Sequence, residues 1–297
     1  MNRLWLAAFF WLTRRVPRLM DAIGGPICAG VFACSALVRE STRANARHLL
    51  GARSTDTERD RLARRIIRSF YRFCCDVGQS VGLPREGLLA RVAVVEGHER
   101  YLASRQAGKG VIIVTAHMGS FEIGLAALRK YEPKIHVIFR PDLLASFERQ
   151  RSALRQSLGV IEHPVDEGWT LWLSLRDALR NNEAVVMQGD RVMPGQKGRV
   201  GPFLDGMMEL PLGPVKLAVA ADAPLLPIFA IRQPDGRVRL IVEEPIVISA
   251  PGGPIGMDEA HQRLRQVLER YARQYPEQWL MLQPAWTESA GEPGSAT

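Results

Sequence analysis

Gly110-Val111-Ile112-Ile113-Val114-Thr115-Ala116-His117-Met118-Gly119-Ser120-Phe121-Glu122 is the stretch on which the fold of this chain turns. Its apolar, β-branched run predicts a buried strand over residues 111–116, and the run stops at a histidine. Gly119 and Ser120 supply a tight turn and a helix N-cap, and a carboxylate follows at Glu122. On one continuous helix, His117 and Glu122 would point about 140° apart at about 100° per residue. Across a strand-to-helix turn they can converge. A histidine suits general base chemistry near neutral pH, and a carboxylate on its other nitrogen fixes the tautomer and stabilises the imidazolium. The structural alternative is a histidine closing a strand and a glutamate in a helical first turn, where the dipole favours it.

Downstream of this stretch, strands and helices alternate. Strands are predicted over Val92–Glu96, Ile135–Phe139, Glu183–Gln188, Leu225–Ile231 and Val238–Val242. Helices are predicted near residues 99–106, from Ser120, up to Leu158, over 169–181, over 214–221 and over 258–274. The segment after Gly189-Asp190-Arg191 reads as a loop rich in Gly and Pro. Repeated β-α units of this length predict an α/β fold, with a mostly parallel sheet covered by helices on both faces. In such sheets the site lies at the carboxyl ends of the strands. His117, Arg140 and Asp190-Arg191 each follow a predicted strand, so three strand ends deliver polar groups to one rim. There is no G-x-S-x-G elbow, and Ser120 is too close in sequence to His117 to be assumed its partner. A base without a protein nucleophile points to activation of a substrate hydroxyl, which then attacks an activated acyl or phosphoryl group.

Upstream, the composition shifts. The net charge is +8, and residues 1–80 alone hold fourteen arginines, no lysine and six acids, so the rest of the chain balances to zero. Such one-ended basicity predicts an anionic partner, either a membrane surface or nucleic acid. Residues 4–12, Leu-Trp-Leu-Ala-Ala-Phe-Phe-Trp-Leu, are apolar and are followed by Arg14, Arg15 and Arg18. Ile23 to Val38 is a second apolar stretch, broken early by Gly24-Gly25-Pro26. Neither comfortably reaches the roughly 20 residues of a spanning helix. Trp, Phe and Leu bordered by arginines fit a helix lying in the membrane interface. Apolar residues from Leu62 to Val81 form a helical stripe with arginines on its other face. Cys28, Cys34, Cys74 and Cys75 lack a C-x-x-C spacing and read as small core residues in a reduced compartment. The remaining histidines show no ligand pattern, and no metal site is expected. The domain reading is a basic helical membrane-associating region over 1–90, an α/β domain over 91–287 and a disordered tail over 288–297.

The segment 108–122 resembles the H-x4-(D/E) block of the lipid A biosynthesis (lauroyl/myristoyl) acyltransferases, within the lysophospholipid acyltransferase superfamily. Val137-Ile138-Phe139-Arg140-Pro141 is similar to the second block of that family, and Arg155-x3-Gly159 to its continuation. Met187-Gln188-Gly189-Asp190-Arg191 occupies the place of the acidic third block, and Pro224-Leu225-Leu226-Pro227 that of the fourth. Pro276-Glu277-Gln278-Trp279 with Trp286 resembles the C-terminal P-x-x-W…W signature. Two departures stand out: Ser120 replaces a common asparagine, and Gly-Asp-Arg replaces the commoner acidic third block.

The resemblance implies an O-acyltransferase working by single displacement, with an apolar groove for the acyl chain and no metal, cofactor or acyl-enzyme. His117 would be the base and Glu122 its orienting acid. Ser120, Arg140, Asp190 and Arg191 would bind substrate, with Arg140 holding a phosphate. The donor would be acyl carrier protein or acyl-coenzyme A, and the acceptor a hydroxyl of a lipid or glycolipid. The expected place is the cytoplasmic face of a bacterial inner membrane, against an anionic surface. A non-catalytic lipid-binding member of the fold is the alternative. Nucleic-acid binding is not expected, because no RRM, helix-turn-helix or finger signature is present.

Overall fold

The computed structural model describes residues 3–140, 145–165, 168–193, 196–248 and 255–287. Pro141 of the second block and the tail at 288–297 lie outside the described residues. Four helices open the chain: α1 (Arg3–Arg15), α2 (Pro17–Cys34), α3 (Ala36–Leu50) and α4 (Asp56–Ser80). Thr55 and Glu58 form a reciprocal capping box at the start of α4, satisfying donors that the first helical turn leaves open. Gly24-Gly25-Pro26 does not end a helix; α2 runs through it. Gly24 is instead a packing device, since a Cβ there would fall 2.1 Å from Arg68 Nη1 and 2.4 Å from Tyr71 Cε1 on α4.

The α/β part follows as α5 (Arg85–Leu89), β1 (Val92–Glu96), α6 (His98–Gln106), β2 (Val111–Thr115), α7 (Phe121–Leu128), β3 (Ile135–Phe139), α8 (Ala145–Ser157), β4 (Val160–Pro164), α9 (Trp169–Arg180) and β5 (Ala184–Gln188). After these come β6 (Gly198–Phe203), β7 (Gly206–Pro211), α10 (Gly213–Ala221), β8 (Leu225–Arg232), β9 (Val238–Val242) and α11 (Met257–Gln274). Seven strands form one sheet in the order β1-β9-β8-β2-β5-β3-β4. Only the β8–β9 hairpin is antiparallel within it. The mostly parallel α/β architecture expected from the sequence is therefore the one observed.

The strand β2 sits in the middle of the sheet and is buried along its whole length. Its side chains alternate between two cores, as a period of two requires. Ile112 and Val114 pack with α9, α10 and α11, whereas Val111 and Ile113 pack with Tyr101 of α6. On that second face α7 and α8 also share a core with β3 and β4. The strand β4 was not anticipated: Glu162 and His163 interrupt its apolar pattern, which suits an edge position. The Gly- and Pro-rich segment holds the β6–β7 ribbon, a separate two-stranded sheet. The N-terminal helices share the largest core cluster with the sheet, through Ala46, Leu49, Leu62 and Ile66. They cover the carboxyl ends of the strands, where Phe73 of α4 stacks on Phe121 at 4.7 Å between ring centroids.

Candidate active site

Parallel register brings the key pair together. In the β2–β5 ladder Thr115 lies opposite Gln188, so His117 and Asp190 are each two residues beyond the last matched pair. His117 Nδ1 lies 2.9 Å from Asp190 Oδ1, and the His117 backbone N–H donates to Asp190 Oδ2 at 3.0 Å. Trp279 Nε1 donates to the same Oδ2 at 2.8 Å. Burial alone would raise the Asp190 pKa, but the His117 charge and hydrogen bond, Arg191 and the Trp279 bond outweigh it and bring it down to about 2. An ionised carboxylate only accepts hydrogen bonds, so the Nδ1 it faces must carry the proton. Nε2 then holds the lone pair, which is the tautomer a general base needs.

The carboxylate on His117 is thus not that of Glu122. Glu122 is 2% exposed and turned toward α8. Arg155 grips it side-on, with Nη2 at 2.6 Å and Nε at 3.2 Å, and Arg151 Nε adds a bond at 2.8 Å. Burial opposes its charge, but the two guanidiniums prevail and bring its pKa down to about 2. Arg155, itself 1% exposed, is balanced further by Glu162 at 2.9 Å and Glu148 at 3.2 Å. The separation is physical. His117 leaves the sheet at the end of β2, while Glu122 is already in the first turn of α7, on the side facing α8.

Ser120 also sits away from where substrate binding would put it. It is 1% exposed, its hydroxyl donates to Asp76 of α4, and Arg232 Nη2 donates to it at 2.6 Å. The loop it closes is clamped by backbone bonds on both sides. Leu280 N–H donates to His117 O at 2.7 Å, Gly119 N–H to Gln278 O at 2.9 Å and Ser120 N–H to Ala230 O at 3.0 Å. Gly119 has φ +57°, and a Cβ there would fall 2.0 Å from Ala230 O, so the position requires glycine. The Gln278-Trp279 part of the P-x-x-W segment therefore fixes both the loop that carries His117 and the Asp190 carboxylate that His117 faces.

His117 opens onto a cavity of about 670 Å³. Arg140, Arg151, Asp190 and Arg191 supply its polar wall, and Phe70, Phe73, Phe147 and Leu280 an apolar one. Arg140 is exposed at its rim. Arg191 is half-buried and forms no ion pair with Asp190. Its Nη2 meets Met281 Sδ at 3.1 Å, and its buried Nε has no hydrogen-bond partner among the described residues. Arg151 was not anticipated from the sequence. It lies over the Phe121 and Phe147 rings at 5.9 and 5.8 Å, held there by Glu122 and Glu148. No group of three His, Cys, Asp or Glu among the described residues is arranged to hold a metal ion.

Residues 2–288 match the family described as "Bacterial lipid A biosynthesis acyltransferase". The chain belongs to this family. It is accordingly an acyltransferase of the lipid and glycolipid class. Its relatives include a "Phosphatidylinositol mannoside acyltransferase" of Mycolicibacterium smegmatis, 24% identical over 282 residues, covering 91% of this chain and 88% of the relative. A protein of the same description from Mycobacterium tuberculosis is 26% identical over 204 residues, covering 67% of this chain and 61% of the relative. The crystal structure of a 1-acyl-sn-glycerophosphate acyltransferase from Thermotoga maritima aligns with TM-score 0.39 and 15% identity, covering 88% of this chain and 98% of that one.

Proposed function

We propose that this protein transfers a fatty acyl group from an acyl thioester to a hydroxyl of an anionic lipid or glycolipid, with His117 as general base and Asp190 as its orienting partner. The observation that carries the proposal is the Asp190–His117 pair, facing a cavity that is cationic on one side and apolar on the other. His117 Nε2 takes the proton of the acceptor hydroxyl as its oxygen attacks the thioester carbonyl. The tetrahedral intermediate collapses with cleavage of the C–S bond, and the imidazolium returns the proton to the leaving thiolate, giving an ester and a thiol. Asp190 stays ionised and stabilises the imidazolium throughout. Arg191 Nε, without a hydrogen-bond partner among the described residues, is a donor close to the dyad for developing negative charge. Arg140 at the rim suits a phosphate, to which a guanidinium fork is matched. The apolar wall takes the acyl chain. The relatives described as phosphatidylinositol mannoside acyltransferases support an acceptor bearing a sugar headgroup, and acyl carrier protein or coenzyme A remains the expected donor class.

The same reading places the protein on an anionic membrane, at the cytoplasmic face of a bacterial inner membrane. No single helix among the described residues is long and apolar enough to cross a bilayer, although α2 and α3, bent by 96°, pass as a pair on length and composition. The helix α1 is apolar on two sides. Phe10 is buried against Phe147, while Trp5 and Trp11 are 73% and 59% exposed, with Arg15 and Arg18 following. Tryptophans beside arginines suit the headgroup region. A Trp5→Ser/Trp11→Ser variant is expected to lose flotation with phosphatidylglycerol vesicles, and unchanged recovery would contradict this placement. For the chemistry, His117→Ala should lower transfer from a radiolabelled acyl thioester by about 10²–10⁴-fold. Turnover near wild type would overturn the mechanism.

A further inference from the structure

Behind the loop that carries His117, on the opposite side of α4 from Phe70 and Phe73, two adjoining hollows of about 560 and 370 Å³ share Arg72, Arg232, Gln233 and Pro234. They lie apart from the reaction cavity, which these four residues do not line. We propose that this cleft is a binding site for a phosphate group carried by a larger ligand, held by Arg72 and Arg232.

Asp76 of α4 is 5% exposed and is shared by two guanidiniums. Arg91 Nη2 donates to its Oδ1 at 2.7 Å, Arg232 Nη1 to the same oxygen at 3.2 Å, and Arg232 Nη2 to its Oδ2. Arg72 faces the same space and makes no hydrogen bond or ion pair with a described residue. Asp21 is the other carboxylate at this wall. The remaining charges there are already matched, Arg237 by Asp235 at 2.7 Å, Arg239 by Glu96 at 2.5 Å and Glu277 by Arg65 at 2.9 Å. Three guanidiniums therefore face two carboxylates, which leaves one positive charge in excess. Arg232 is half-buried, and both that desolvation and the like charge of Arg72 work against its guanidinium. Arg72, exposed and without an ion pair among the described residues, is the uncompensated cation, and an anion arriving between Arg72 and Arg232 relieves the repulsion of the two like charges.

Geometry selects phosphate. A guanidinium presents paired donors that match phosphate oxygens, and a phosphate diester carries the single charge that the excess calls for. The two hollows together are far larger than one phosphate, so the ligand brings further groups with it. Such a ligand would also be felt at the active site. Arg232 donates to Ser120 Oγ, and the Gln278 side chain accepts from Arg232 N–H at 2.8 Å and donates to Arg232 O at 2.9 Å. Gln278 O in turn accepts from Gly119 N–H. The cleft is thereby tied to both ends of the Gly119-Ser120 turn beside His117.

Titration calorimetry of the full chain with inorganic pyrophosphate, at an ionic strength fixed with sodium chloride, tests the site without reference to catalysis. In an Arg140→Ala background, which removes the phosphate-binding arginine of the reaction cavity, saturable binding is expected to persist and to weaken at least tenfold when Arg72→Ala is added. Arg72 is exposed, so its replacement leaves the fold intact, which a circular dichroism melt verifies. No saturable binding in the Arg140→Ala background, or an affinity there unchanged by Arg72→Ala, would overturn the proposal. Flotation with phosphatidylcholine vesicles, with and without phosphatidylglycerol, then separates the sources. Reduced recovery of Arg72→Ala with the anionic vesicles marks a lipid headgroup, and equal recovery marks a soluble phosphate compound.

Discussion

Glu122 and Asp190 are both buried carboxylates held near a pKa of about 2, yet their neighbourhoods do opposite things. Around Glu122, two arginines and two further acids close a network between α7 and α8. Only Arg151 of that network reaches the cavity wall. Around Asp190, the partners are an imidazole, one backbone N–H and an indole N–H, and the imidazole opens onto the cavity. The first neighbourhood spends its charge on holding two helices together. The second directs it at a group that can change protonation during a reaction. Nearness along the chain is therefore a poor guide to which acid serves a base; register across a parallel sheet is a better one.

Breaking each neighbourhood in turn should separate the two. The largest effect on activity is expected for Asp190→Asn, which keeps the volume but loses the charge and can present its amide to Nδ1. Transfer should fall by about 10²–10⁴-fold with the fold retained, as measured by single-turnover acyl transfer beside a thermal melt. Glu122→Gln should act mainly on stability, because Arg155 loses the charge it grips at 1% exposure. A loss of about 3 kcal/mol in a denaturant titration is expected. Its pH dependence has a definite sign. The folded-state pKa of Glu122 is depressed from 4.5 to about 2, so its stabilisation is complete above pH 4.5 and is lost as the pH falls toward 2. The variant should show a flatter acid limb over that window. The smallest effect is expected for Trp279→Phe, because Asp190 Oδ2 keeps the His117 backbone N–H. About 1 kcal/mol, or a rate loss of fivefold to tenfold, should appear in the same transfer assay.

Much of this fold was readable from local pattern. The strands at 92–96, 135–139 and 238–242 coincide with their predicted bounds, and the β2-to-α7 turn falls where the apolar run ends. What escaped has particular causes. Edge strand β4 carries Glu162 and His163, and the β6–β7 ribbon is built from Gly- and Pro-rich sequence that reads as loop. Gly24-Gly25-Pro26 resembles a helix breaker, but close approach of Arg68 and Tyr71 makes it a packing contact. Of the site, the rim of His117, Arg140, Asp190 and Arg191 followed from strand ends alone, and all four line one cavity. The hydrogen-bond partners did not follow. The family resemblance puts Glu122 on the base and Ser120 with the substrate, whereas their hydrogen-bond partners, Arg155, Asp76 and Arg232, come from elements distant in sequence. Matching the strand ends of β2 and β5 points to Asp190, since His117 and Asp190 each follow their strand by the same two-residue step. Nothing in the local sequence of Arg151 marks it as a cavity residue; its place depends on how α8 packs against α7.

The central claim is that Asp190, and not Glu122, fixes the tautomer of His117. Proton NMR of histidine-ring 15N-labelled protein observes this directly. A downfield Nδ1–H resonance assigned to His117 is expected in the wild type, retained in Glu122→Gln and lost or shifted strongly upfield in Asp190→Asn. A resonance that survives in Asp190→Asn and disappears in Glu122→Gln would contradict the account.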